Sequence, residues 1–380
     1  MNLVRSTALL FCIILFSFGS HANDVEKIAT QLYEDAISSP SVPGINVAVA
    51  DENGIKWAKG FGFANLEYKV PMSVSTKMRI GSVAKVITTA ALMRLYEKNL
   101  IDFNRDIRSY VPKWPEKHKK ITLTQLVSHT SGIRHYKSDE FFTNGDYESA
   151  TQALEIFKND DLLFEPGAKF SYSTYAWTLI SAAMENAASD TPFKQLIREQ
   201  VLVPLKLTET TFDDNAPIIL NRQSSYVFSE GKLSNAPEVF NSYKYAGGGF
   251  LATPSDVSNF AIAHTHEGYL KQATLNKMFT EQKLSDGSGN FFGIGWAIGF
   301  KPQIYNAKKD KENGAEYIAL MEKHPNSVMH SGGSMGGVTM MILCLDHNHS
   351  VTVVKNVSDE YSVNVFNLAL KTLDLFTPEI

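Results

Sequence analysis

The sequence predicts an α and β fold: one antiparallel sheet, built from both ends of the chain and flanked by helices, with a mainly helical domain inserted between its two halves. Short apolar, β-branched segments lie near both ends, for example at residues 45–50 and 351–356. The middle of the chain instead carries apolar residues at helical spacing, as in residues 83–100. Asn53-Gly54, between two strand-like segments, indicates a hairpin near the N-terminus.

The other elements follow from the same local patterns. Apolar residues recur every three or four positions in residues 24–38, which should form a helix. Further predicted strands span residues 55–63, 292–300, 328–331 and 338–345, and further predicted helices span residues 122–127, 150–157, 175–188 and 363–373. We therefore assign residues 23–80 and 291–380 to a discontinuous sheet domain and residues 81–290 to the helical domain.

Composition and charge exclude several classes of function. The 380 residues include 36 Lys plus Arg against 40 Asp plus Glu, for a net charge of −4. Because no excess of positive charge is present to neutralise phosphates, we expect no nucleic-acid partner. Two cysteines are too few for a disulfide scaffold. No phosphate-binding loop or dinucleotide fingerprint occurs, so we expect no cofactor.

The N-terminus has the three parts of a secretory signal peptide, at residues 1–22. Arg5 supplies positive charge, residues 9–18 are apolar, and Ser20-His21-Ala22 places small residues at the −3 and −1 positions of a cleavage site. The apolar run is well short of the ~18 residues that a membrane span needs. We expect an exported protein, periplasmic or secreted, with no membrane span after cleavage.

Two patterns resemble functional motifs but lack the context that would support them. His264 with His266, and His347 with His349, are the close histidine pairs, and neither lies in a zinc-binding helix motif, so we expect no metal site. Residues 332–336 match the G-x-S-x-G nucleophile elbow. That elbow requires a following helix and a later acid and histidine. A predicted strand follows here instead.

A stronger candidate is Ser82-x-x-Lys85, which opens the predicted buried helix. Residues i and i+3 share one face of a helix, so the Lys85 amine should reach the Ser82 hydroxyl. Burial disfavours the ammonium form and makes a lysine usable as a base. A second match, Ser229-x-x-Lys232, contains a glycine and lies in a predicted turn, where the two side chains need not share a face.

Two later segments complete a set of three motifs. Tyr172-Ser173-Thr174 precedes a predicted helix, and His330-Ser331-Gly332-Gly333 lies on a predicted strand. Together with Ser82-x-x-Lys85, they resemble the S-x-x-K, Y-x-N and K-T-G motifs of the serine β-lactamase and penicillin-binding-protein superfamily, in its class C β-lactamase-related branch. The segments 79–81, 126–132 and 164–167 agree with this branch. Within it, residues 170–174 and 243–251 are most similar to the mitochondrial serine β-lactamase-like proteins of animals.

The resemblance implies a serine β-lactamase/DD-peptidase-like fold and a role for each motif residue. It implies that Ser82 is the acylated nucleophile and that Lys85 and Tyr172 share the proton transfers. It further implies that the N–H groups of Ser82 and Gly333 form the oxyanion hole.

The resemblance also implies that Thr174, His330, Ser331 and Gly332 contact the substrate, and two of these depart from the family pattern. Thr174 replaces an asparagine and His330 replaces a lysine, which weakens the case for an efficient β-lactamase. With an ordinary pKa near 6.5, His330 should be mostly neutral at pH 7 and should gain a proton towards about pH 5.5. Residues 301–326, between two predicted strands, are charged and would either shape the cleft or loop away from it.

These observations predict a secreted serine hydrolase that cleaves an amide or ester bond of a small molecule or peptide through a Ser82 acyl-enzyme. A peptidase or esterase is favoured, and a β-lactamase or D-Ala-D-Ala carboxypeptidase is the alternative. A non-enzymatic, penicillin-binding or filament-forming structural protein stays open, and so does an oligomeric state.

Overall fold

The computed structural model of the protein describes residues 24–359 and 363–377. Its strands are β1 (Gly44–Asp51), β2 (Gly54–Asn65), β3 (Val70–Pro71), β4 (Met78–Arg79), β5 (Thr211–Phe212), β6 (Tyr226–Ser229), β7 (Lys232–Asn235), β8 (Phe250–Ala252), β9 (Ala297–Ile298), β10 (Ser327–Ser334), β11 (Gly337–Cys344), β12 (His349–Lys355) and β13 (Val357–Asp359). Its helices are α1 (24–37), α2 (Ala84–Glu97), α3 (Leu123–Val127), α4 (Ala150–Ala153), α5 (Tyr175–Ala187), α6 (Phe193–Ile197), α7 (Tyr245–Gly248), α8 (Pro254–Ile262), α9 (Gln272–Met278), α10 (Lys301–Ala307), α11 (Gly314–Lys323) and α12 (Val365–Phe376).

The main sheet is built from both ends of the chain, as the sequence predicts. Its seven strands run in the order β3-β2-β1-β12-β11-β10-β9, and all neighbours are antiparallel. The predicted hairpin at Asn53-Gly54 connects β1 to β2. The segment between β3 and β9 contains α2 to α9 and short strands. The predicted α and β fold is therefore confirmed, whereas the domain boundaries at residues 81 and 290 stay predictions.

Helices cover both faces of the main sheet. On one face α12 packs on β11 and β12, and α1 adds Tyr33, which stacks on Phe61 of β2. On the other face α8 packs on β1 and β12, where Ser258 hydrogen-bonds to Thr352. Helix α2 lies deeper, against α5 and α7, and is buried on almost all of its surface. Lys85, in the first turn of α2, is therefore withdrawn from water.

The region before β10 differs from the prediction. The expected strand over residues 292–300 is reduced to the two residues of β9. Gly295 has a φ of +76°, and a Cβ there would lie 2.1 Å from Thr89 Oγ1 on α2. The backbone follows the surface of α2 at this point, and its left-handed conformation cannot continue a strand. Residues 301–326 contain α10 and α11.

The predicted signal peptide, residues 1–22, lies outside the described residues. Among the residues that the structure does describe, none belongs to a helix of the length and apolar character that crossing a membrane would require.

Candidate active site

Ser82 lies at the start of the buried helix α2, at the edge of a cavity. Residues Gly81–Val83 form a single 3-10 turn that leads into α2. Gly81 has a φ of +51°, a left-handed conformation that glycine adopts without strain. The turn leaves Ser82 partly exposed, and it lines a cavity of about 410 Å³ together with Tyr172, Ser331 and Gly333.

Lys85 is one turn further along α2 and is completely buried. Its Nζ lies 3.0 Å from Ser82 Oγ, 3.2 Å from Thr174 Oγ1 and 2.6 Å from the carbonyl oxygen of Gly247. Burial, helped by the positive charge of Lys244, holds the pKa of Lys85 well below its ordinary value of 10.5. Within the described ranges, no carboxylate forms an ion pair with Lys85 to oppose this shift. The Lys85 amine can therefore accept a proton from the Ser82 hydroxyl.

Tyr172 covers Lys85 from the cavity side. The Lys85 Nζ lies 4.9 Å from the centre of the Tyr172 ring, and that ring stacks on His129 with centroids 4.2 Å apart. Burial raises the pKa of Tyr172 above its ordinary 10, although an interaction with the Ser82 hydroxyl opposes this shift. Tyr172 is therefore a neutral phenol at pH 7, which can donate a proton or relay one.

Strand β10 forms the wall opposite the Ser82 turn. Ser331 and Gly333 are exposed and Gly332 is buried, the alternation that a strand imposes. A Cβ on Gly332 would lie 2.0 Å from the carbonyl oxygen of Ile80 and 3.1 Å from the Ser82 nitrogen. This contact allows the strand to reach the start of α2, and it brings Gly333 beside Ser82.

His330 does not gain a proton near pH 5.5 in the structure. It is buried, and its Nδ1 lies 2.6 Å from the carbonyl oxygen of Ser331. Burial, together with the nearby charge of Lys85, lowers the pKa of His330 to about 3. The sequence-based pKa near 6.5 assumed an exposed ring, and the buried ring instead stays neutral throughout the physiological range.

Thr174 supports Lys85 from below the cavity. It is only 3% exposed, and its hydroxyl accepts the hydrogen bond from Lys85 Nζ. Its backbone N–H donates to His135 Nδ1 at 3.3 Å. The predicted contact of Thr174 with a substrate is untested, and this geometry favours a positioning role.

Three residues around the site were not singled out from the sequence. His129 stacks on the Tyr172 ring, the carbonyl oxygen of Gly247 accepts the shortest hydrogen bond from Lys85, and Lys244 contributes to the lowered pKa of Lys85. His129 and Gly247 lie in segments that agree with the family pattern. A sequence pattern alone, however, does not show which backbone carbonyl or which ring faces the site. Residues 301–326 do shape the cleft, because Pro302 and Gln303 of α10 line it.

The two competing serines lie in different surroundings. Ser334 ends β10, where its hydroxyl donates to the carbonyl oxygen of Gly337 at the turn into β11. A strand follows it, which excludes the nucleophile elbow. Ser229 and Lys232 face each other across the β6–β7 hairpin.

A larger cavity of about 720 Å³ is lined by Tyr147, Asp214 and other residues, but by no residue of the three motifs.

Comparison with known proteins shows the family of the chain. Residues 26–372 match the family described as "Beta-lactamase". The chain belongs to the β-lactamase family. It is 27% identical over 410 residues to the mitochondrial serine beta-lactamase-like protein LACTB of Mus musculus, covering 83% of this chain and 72% of that protein. It is 23% identical over 338 residues to penicillin-binding protein 4* of Bacillus subtilis (strain 168), covering 83% and 68%.

Solved structures of hydrolases share the fold. The D-amino acid amidase of Ochrobactrum anthropi SV3, complexed with D-phenylalanine, has a TM-score of 0.76 at 17% identity, covering 93% of this chain and 98% of that one. EstCE1, a hydrolase with promiscuous acyltransferase activity, has a TM-score of 0.75 at 21% identity, with the same coverage. The resemblance inferred from the three motifs is confirmed, and hydrolytic enzymes are among the structural neighbours of this β-lactamase-family chain.

Proposed function

We propose that this β-lactamase-family protein is an exported serine hydrolase that cleaves an amide or ester bond through an acyl-enzyme on Ser82. The observation that carries the proposal is the 3.0 Å contact between Lys85 Nζ and Ser82 Oγ. A buried amine with a lowered pKa, at hydrogen-bond distance from a hydroxyl that faces a cavity, is the arrangement that activates a serine nucleophile.

Lys85 and Tyr172 have complementary roles in the proposed proton path. Lys85 takes the proton as Ser82 Oγ attacks the substrate carbonyl. Tyr172, neutral at pH 7, donates its phenol proton to the leaving group and is reprotonated through Lys85. In the second half of the reaction the same pair accepts a proton from the attacking water.

The negative charge that develops on the carbonyl oxygen would be stabilised by the backbone N–H groups of Ser82 and Gly333. Gly333 is exposed in the cavity and lies on the strand that reaches the start of α2. Backbone donors fixed by a helix start and a sheet edge need little reorganisation as the charge develops, which is the basis of oxyanion stabilisation. Ser331, exposed on the same face of β10, would bind the substrate backbone.

The cavity favours neutral substrates. His330 replaces the family's cationic lysine and is neutral, so the third motif offers no positive charge to a substrate carboxylate. Phe291, Phe292 and Ile298 add apolar surface to the cavity. We therefore favour an esterase or a peptidase acting on internal bonds over a β-lactamase or a D-Ala-D-Ala carboxypeptidase, whose substrates carry that carboxylate.

Labelling of the purified mature protein tests the proposal. The protein is incubated with a fluorophosphonate and, separately, with a fluorescent penicillin, and the modified peptide is identified by mass spectrometry. We expect fluorophosphonate on Ser82, and Ser82→Ala should lose both the label and ester turnover while Ser334→Ala and Ser229→Ala retain both. Binding of penicillin without turnover of any ester would support the non-enzymatic alternative. N-terminal sequencing of the protein exported by its host tests cleavage after Ala22.

A further inference from the structure

A histidine–cysteine–histidine cluster lies at the end of the β10–β11 hairpin that is opposite to the active site. His324 follows α11, Cys344 is the last residue of β11, and His347 lies in the turn into β12. Cys344 Sγ is 3.6 Å from His324 Nδ1 and 3.1 Å from His347 Nδ1. The three possible ligand atoms all lie within 4.8 Å of one another.

These separations agree with those around one tetrahedral ion. With Zn–S near 2.3 Å and Zn–N near 2.0–2.1 Å, the sulfur and nitrogen ligands of a tetrahedral zinc lie roughly 3.5 Å apart. We propose that His324, Cys344 and His347 bind one Zn²⁺ ion, with the fourth position open to water. One thiolate and two imidazoles form a ligand set that suits zinc and disfavours magnesium or calcium. His347 is partly exposed, which gives the ion a route from solvent.

A carboxylate behind His324 prepares this ring for a metal. His324 is buried, and its Nε2 faces Asp374 Oδ1 of α12 at 3.5 Å. Asp374 is itself held by two hydrogen bonds from Lys323 Nζ. A proton on Nε2, facing the carboxylate, leaves the Nδ1 lone pair directed towards Cys344. Carboxylates on the far nitrogen of zinc-binding histidines orient the ring in this way.

One nitrogen of the cluster has no close hydrogen-bond partner. The His324 Nε2 is buried without a hydrogen bond of good geometry. Zinc would replace the thiol proton, which leaves to solvent, and would join α11 to the end of β11 and to the following turn.

The two histidine pairs that are adjacent in the sequence do not form sites. His349 Nδ1 bonds the carbonyl oxygen of His347, and His264 Nδ1 bonds that of Phe260. The expectation of no metal site considered only the histidine pairs and passed over Cys344, which lies three residues before His347. The third residue, His324, lies twenty positions before Cys344 and is brought beside it by the fold. Cys344 pairs with Ser327, six residues before Gly333 on β10, so the cluster lies roughly 20 Å from the oxyanion position.

Metal binding to the purified, metal-stripped mature protein tests the proposal. Zn²⁺ is titrated calorimetrically, and Co²⁺ is added in parallel because a cobalt–thiolate bond gives a charge-transfer absorption band. We expect one equivalent of Zn²⁺, a cobalt–thiolate band, and a higher Tm in the presence of Zn²⁺. Zinc binding without a thiolate band, or no binding, would overturn the proposal.

Matched variants separate this cluster from adventitious binding. We expect Cys344→Ser to lose the band and His347→Gln to weaken Zn²⁺ binding at least ~10-fold, with Asp374→Asn weakening it by ~10-fold as a positioning residue. His266→Gln, at an exposed histidine, should bind like the wild type. His347 is partly exposed, so this variant should remain folded even if the buried Cys344→Ser does not. Equal affinity in wild type and His347→Gln would refute the site.

Discussion

The backbones of Gly81 and Gly333 are in direct contact. A Cβ on Gly81 would lie 2.7 Å from the carbonyl oxygen of Gly333 and 2.9 Å from its nitrogen. This contact sets the spacing between the residue before the proposed nucleophile and the strand that supplies the second proposed oxyanion donor.

Gly81→Ala should therefore displace β10 from the start of α2. We expect kcat/KM for an ester substrate to fall by about 10², since misplacement of the reacting groups by about 1 Å has effects of this size. Gly231→Ala is the matched control, because Gly231 also has a positive φ, +73°, but a Cβ there meets no atom within 4 Å. Equal losses of activity in the two variants would show that backbone strain at a positive φ, and not the contact with Gly333, causes the loss.

Lys85 and Tyr172 should behave as one unit in kinetics. We expect Lys85→Ala and Tyr172→Phe each to reduce turnover by at least ~10², the usual scale for general acid–base catalysis. The double variant should lose little more than the stronger single variant, because both groups serve one proton path. Lys232→Ala, in the second S-x-x-K match, should leave turnover unchanged. Fully additive losses would contradict a shared path.

Lys244 should destabilise the fold at neutral pH. It is buried against Phe141, whose ring centre lies 4.2 Å from Nζ, and burial lowers its pKa to about 7. The pKa of a lysine in the unfolded chain is near 10.4. Between pH 7 and about 10, Lys244 therefore holds a proton in the unfolded chain that it has lost in the folded chain. In this window the free energy of unfolding rises with pH, by up to about 1.4 kcal/mol per pH unit. Below pH 7 the cost of burying the charge is present in full.

The variant Lys244→Met removes this cost. We expect a higher Tm than wild type at pH 6.5 and a difference that shrinks by pH 9.5, measured by thermal unfolding with circular dichroism. Lys232→Met, at an exposed lysine, should show no such pH-dependent difference. A Tm difference for Lys244→Met that does not change with pH would show that Lys244 is charged in the fold throughout this range.

His330 should keep the enzyme selective for neutral substrates at every pH from 5.5 to 7.5. With a pKa of about 3, the ring gains no proton in this range. The ratio of kcat/KM for a matched neutral ester and its carboxylate-bearing analogue should therefore favour the neutral substrate and stay constant with pH. His330→Lys should shift this ratio towards the anion by about tenfold, because charge-assisted hydrogen bonds are the stronger ones. A wild-type enzyme that prefers the anion at pH 7.5 would indicate another cation in the cleft.

Local patterns in the sequence were sufficient for the main elements. The apolar run after Ser82 is buried as α2, and the hairpin at Asn53-Gly54 forms as its turn residues predict. The pairing of Ser82 with Lys85 also follows from helix geometry, since both residues belong to one turn. Such features depend on contacts between residues that are close in the sequence. Each of them can therefore be predicted from its own segment.

The tertiary structure decided what depends on distant residues. The predicted strand over residues 292–300 was interrupted because Gly295 packs on Thr89 of α2, about two hundred positions earlier. The pKa of His330 is lower than the sequence-based value because the fold buries the ring away from water and places it near Lys85. The cluster of His324, Cys344 and His347 forms where a helix end meets a strand end. Desolvation and long-range contacts exist only once the chain has folded, so the sequence determined which groups are present and the fold determined their chemistry.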